Sequence, residues 1–157
     1  MAVVETGRVA GGLFTVAVFK DLAWAGKGVD ALRQRGFVAE AFSLLARPAE
    51  GVGDWAAATL GRVVESRTLP RLGDVLAGGP LIEALDGEAR HLDRAGLSGA
   101  IGRAGFQAHD GQIFETLVER GGVLVAIRSE PRAADALAVF HSYGGANAAI
   151  GAWVGRV

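Results

Sequence analysis

The sequence predicts an α+β fold, a ferredoxin-like double βαβ with a mostly helical insert between its halves, on three observations. Residues 12–46 and 121–153 read as two copies of one strand–helix–strand unit. Each copy opens on a run that is apolar at consecutive positions, around Val16-Ala17-Val18-Phe19 and Val123-Leu124-Val125-Ala126-Ile127, as strands covered on both faces do. Residues 47–120 are too apolar for a flexible linker and must pack on something. Two strand–helix–strand units can interleave their strands into one sheet, so the 157 residues read as a single domain with 1–11 as an N-terminal tail.

The strand positions match at an offset of 109: Phe14 with Val123, Val16 with Val125, Ala17 with Ala126, Val18 with Ile127. The helix positions match at 108: Ala25 with Ala133, Val29 with Leu137, Leu32 with Phe140, Gly36 with Gly144. One deletion in the strand–helix connection would give that difference. In the first copy Asp21 is placed to cap a helix and Gly36 to end it, with Leu22, Ala25, Val29 and Leu32 on one stripe. Lys27, Asp30, Arg33 and Gln34 fall off that stripe, and Phe42 and Leu44 then alternate with Ser43 in a second strand. In the second copy Pro131 suits the first helical position, Ala133, Leu137 and Phe140 form the buried stripe, and Arg132 and Asp135 face water. The repeat asks for a closing strand in 146–153, a stretch rich in alanine and glycine.

Within the insert, 54–64 reads as a helix capped by Asp54, and 69–77 as extended around Pro70 with a turn at Gly78-Gly79-Pro80. Helices follow at 81–92, 97–103 and 111–120. Two helices on one face of a sheet leave the other face open, and the sequence places Thr15, Ala17, Phe19, Leu124 and Ala126 on it. Apolar burial is worth about 25 cal/mol per Å², so the insert or a second protomer must cover that face.

Composition narrows the function classes. Sixteen basic and 17 acidic residues are dispersed along the chain for a net charge of −1, without the basic block of a nucleic-acid binder. The absence of cysteine removes disulfides, thiol catalysis and thiolate metal sites, and fits a reducing cytoplasm. The N-terminus lacks a charged leader and long apolar core. Charges such as Asp74 and Glu83 interrupt every apolar stretch before bilayer-spanning length, so the expectation is a soluble protein at a mean hydropathy of +0.30.

No constellation specifies a reaction, and the sequence predicts neither catalytic residues nor a cofactor. His109, Asp110, Glu115 and His141 have the right donor chemistry for a metal but no ligand spacing, so they carry no metal expectation. The pairs Glu83/Asp86, Glu88/His91 and Asp110/Glu115 read as solvated charge, and Ser98 lacks a nucleophile elbow. Gly96, Gly99, Gly102 and Gly105, at every third position, read as a small-residue packing ridge. Trp24, Trp55, Trp153 and Phe19 are the candidate interface residues, because large aromatics anchor protein contacts.

Three stretches resemble the bacterial general-stress-protein-like domain family. They are Val16-Ala17-Val18-Phe19 with Asp21 and Arg35-Gly36-Phe37, then Leu72-Gly73-Asp74-Val75-Leu76-Ala77-Gly78-Gly79-Pro80-Leu81. The third is Ala104-Gly105-Phe106 followed by Arg120-Gly121-Gly122-Val123-Leu124-Val125-Ala126-Ile127. The resemblance implies a role in stress and carries no reaction. Where relatives have a longer alanine- and glycine-rich middle segment, this chain has the charged stretch 83–94. The expectation is a non-enzymatic, stress-associated cytoplasmic protein that self-associates or binds a protein partner. One alternative is a small-ligand-binding or enzyme-like module with a pocket between sheet face and insert. The other is peripheral membrane association through the glycine-rich insert.

Overall fold

The computed structural model describes residues 3–9, 12–61, 64–86, 91–103, 108–128 and 133–145. The fold is α+β. Its strands are β1 (Val3–Val9), β2 (Gly12–Phe19), β3 (Phe42–Ala46), β4 (Glu65–Leu69), β5 (Gly73–Gly78) and β6 (Val123–Arg128). They form one sheet in the order β1-β2-β6-β3-β5-β4, every neighbouring pair antiparallel. Because β6 runs antiparallel to both β2 and β3, those two strands are parallel to each other and joined across β6 by helix α1 (Leu22–Gln34).

Local chemistry explains α1 closely. Asp21 Oδ1 accepts the backbone N–H of Trp24 at 3.0 Å, relieving an orphan donor of the first turn. At the other end Gly36 N–H donates to the Arg33 carbonyl and Phe37 N–H to the Leu32 carbonyl, with Gly36 at φ +93°. That pair is a Schellman ending, and its apolar clasp is the contact expected of buried Leu32 and Phe37. The expected stripe is buried at Ala25, Val29 and Leu32, with Gly28 added.

Helix α6 (Ala133–Gly145) lies beside α1 on the same face of the sheet. Among the described side chains Ala136, Val139 and Phe140 are buried, and those of Ala133 and Leu137 are outside the described ones. Phe140 meets Phe19 edge-to-face at 5.5 Å between ring centres. Helix α2 (Val52–Leu60) completes this layer through Val52 and Ala56.

The insert covers the opposite face. After the β4–β5 hairpin, α3 (Pro80–Leu85), α4 (Leu92–Arg103) and α5 (Ala108–Glu119) bring Leu81, Leu85, Leu97, Ile101, Phe114 and Val118 against Phe14, Val16, Val18, Leu124 and Ala126. All eleven of these side chains are fully enclosed within the single chain. The choice between insert and second protomer is thereby decided in favour of the insert.

Several expectations need correction. Thr15, Ala17 and Phe19 were expected on the open face with Leu124 and Ala126. Ala17 and Phe19 instead lie under α1 and α6, and only Leu124 and Ala126 face the insert. A strand apolar on both sides offers no alternation, and a one-residue error in reading it flips every side chain. The same ambiguity affects the repeat. At offset 109 Val16 and Val125 point to opposite faces, whereas at 108 Val16 matches Leu124, Ala17 matches Val125 and Val18 matches Ala126, each pair sharing a face. Ala17 sits directly opposite Val125 in the ladder.

Residues 3–9 of the expected tail form β1, paired along its whole length with β2. The insert is less helical than expected: Pro70 lies in the turn of a hairpin between β4 and β5, where its missing N–H costs no ladder bond. Helix α2 starts after Gly51, with Asp54 in its first turn and not at its cap. The 81–92 helix stops at Leu85, and α4 begins at Leu92. The expected closing strand, 146–153, lies outside the described residues.

Candidate functional site

The helical face built by α1 and α6 carries a groove of about 580 Å³, lined by Trp24, Lys27, Arg35, Asp135, Val139 and Tyr143 among others. Trp24 is held at the first turn of α1, where its own N–H is bound by Asp21, and its ring is half-buried against the core. Lys27, one helical turn later, places Nζ 4.3 Å from the Trp24 ring centre. Such a cation–π contact at a surface contributes about 0.5–1 kcal/mol and keeps the ammonium over the indole. Tyr143 is half-buried near the end of α6 and brings a second aromatic to the groove. The groove therefore offers two amphipathic rings and a positioned cation on two packed helices. That is the chemistry of a contact surface, since aromatic side chains give large area at low entropic cost.

Elsewhere the polar clusters tie the fold together. Arg67 on β4 donates Nη1 to Asp86 Oδ2 at 2.7 Å and Nε to Asp93 Oδ1 at 3.1 Å, with Nη2 shared between the two carboxylates. Hydrogen bonding to Asp86 raises the Arg67 pKa above its ordinary value; burial opposes the rise and Asp93 adds to it. The guanidinium thus joins the edge strand to the end of α3 and the start of α4.

A second cluster sits on the insert. α4 is broken at Gly96, which takes φ +76° and ψ 176°, so a fresh helix start follows it. Glu115 reaches over from α5, and its Oε2 accepts the Ser98 N–H at 3.1 Å; its carboxylate thereby caps that start. Arg71, in the hairpin turn at φ +71°, places Nη1 3.5 Å from Glu115 Oε1. Third, buried Ser43 on β3 accepts the Leu81 N–H at 2.8 Å, capping α3 from a distant strand.

The structure sorts the sequence candidates. Trp24 reaches the groove, and Trp55 on α2 is half-buried, with its Nε1 3.5 Å from where a Cβ on Gly26 would stand. Phe19 is fully enclosed under Phe140, so it offers no surface to a partner. Trp153 lies outside the described residues. Of the glycine ridge, Gly96 is a kink and Gly105 is not described. The close approach of α4 to α5 comes instead at Gly111, where a Cβ would lie 2.9 Å from the Ser98 carbonyl oxygen.

The imagined metal set is divided by the sheet, since Glu115 belongs to the insert layer and exposed His141 to the α1/α6 layer. Among the described residues no three histidines or carboxylates converge on a possible ion position. Asp86 is engaged by Arg67, and Ser98 contributes its backbone N–H to Glu115. Sequence reasoning missed Lys27 and Tyr143 as companions of Trp24. The i to i+3 spacing of Trp24 and Lys27 was a visible signal for the first. No family model, curated protein or solved structure matches the chain.

Proposed function

We propose that the chain is a non-enzymatic, stress-associated protein that acts by contact, with a second copy or another protein, through its α1/α6 face. The observation that carries this is the groove in which Trp24, Lys27 and Tyr143 stand together on two packed helices. The association with stress rests on the resemblance of the three sequence stretches to general-stress-protein-like domains.

The alternatives have less support. A pocket between sheet face and insert would need space now filled by Leu81, Leu97, Phe114 and their neighbours. A membrane role for the glycine-rich insert would need an outward apolar face, whereas Leu97, Ala100 and Ile101 point into the core. Among the described residues no helix is long and apolar enough to cross a membrane.

We also propose that the architecture is a ferredoxin-like double unit. A ferredoxin-like double unit is supported by β2, β6 and β3 standing side by side with alternating direction, by α1 beside α6, and by equivalent residues sharing faces at offset 108. In this reading β1 supplies the strand beside β2 that the repeat alone assigned to 146–153.

Light scattering over a concentration series tests the contact reading, with Trp24→Ala and Lys27→Glu measured beside the parent chain. The expected result is a mass that rises with concentration and falls back to monomer in both variants, each still folded by circular dichroism at the temperature of the measurement. A monomer at every concentration overturns self-association. If cross-linking in the source cells then captures the same proteins with parent and variants, the partner reading falls as well.

A further inference from the structure

We draw no further inference here: the strongest candidate, the cleft of about 650 Å³ at the end of the sheet where α1 and α2 begin beside Arg47, rests on two helix N-termini set among the carboxylates of Asp21, Glu50 and Asp74, with no second feature that points to a ligand.

Discussion

Gly79 shows how one residue can be indispensable for a reason located elsewhere in the chain. It takes φ +109° and ψ 176°, a region almost restricted to glycine, and an added Cβ would lie 2.5 Å from both the Phe42 carbonyl oxygen and Ser43 Cα. Neither obstacle is a side-chain tip that can swing away. Gly79→Ala is expected to cost about 3 kcal/mol or more, from strain and overpacking together, read as a lowered denaturation midpoint. The glycine pair was legible as a turn, but nothing near it in the chain reveals that β3 runs directly beside it.

Glu115 makes the complementary point. Glu115→Ala leaves the Ser98 N–H at the α4 break without its acceptor and is expected to cost about 1–3 kcal/mol. Glu115→Gln keeps an acceptor oxygen and should retain most of that. Equal losses in urea titrations of the two variants would contradict the capping role. In the sequence this glutamate resembled any solvated acid of an amphipathic helix, because its burial depends on where α4 bends.

At the scale of elements, amphipathic helices were the most legible part. The stripe, cap and glycine stop of α1 are all local in sequence, and all three occur as read. The helix layer is held by Phe140 across Phe19, so Phe140→Ala should cost about 3–5 kcal/mol, with the α1/α6 contacts loosened. A loss under 1 kcal/mol in calorimetry would show that this layer is not the core it resembles.

Arg67 adds a polar clasp between the hairpin and the helices after it, whose packing rests on the apolar core. Its carboxylate partners are substantially exposed, so the clasp is worth little at high salt. Arg67→Lys removes the forked geometry and is expected to cost up to about 1 kcal/mol at low ionic strength. That difference should shrink in 1 M salt; a salt-independent loss would point to packing of the Arg67 stem. The clasp was not visible in advance, since its members come from β4, α3 and α4 and share no local pattern.

For the whole molecule, both sheet faces are covered by the chain's own helices, and Val38 is the large apolar side chain left exposed among the described residues. A broad exposed apolar interface is therefore absent from the described residues, and the proposed contact through the Trp24 groove is a small one. β1 is the other feature of molecular scale. Deleting residues 1–11 would remove the seven-residue ladder on β2 and turn a strand apolar on both faces into a sheet edge. Lower solubility and a fall in melting temperature are expected, whereas ending the chain after Gly145 should leave hydrogen-exchange protection of β2 intact. The reverse pattern would show that 146–153, and not β1, completes the sheet.

Alone, the sequence determined the α+β class, the helix limits around Asp21 and Gly36, and the need for the insert to pack. Each of these follows from interactions within a few residues or from total apolar content. Tertiary structure alone decided which face each strand residue takes, that 3–9 joins the sheet, and that Glu115, Arg67 and Ser43 serve distant backbone and charge. The reason is common to all of them. An apolar run without alternation does not encode its own sides, and a buried polar group is defined by partners brought near only when the chain has closed around it.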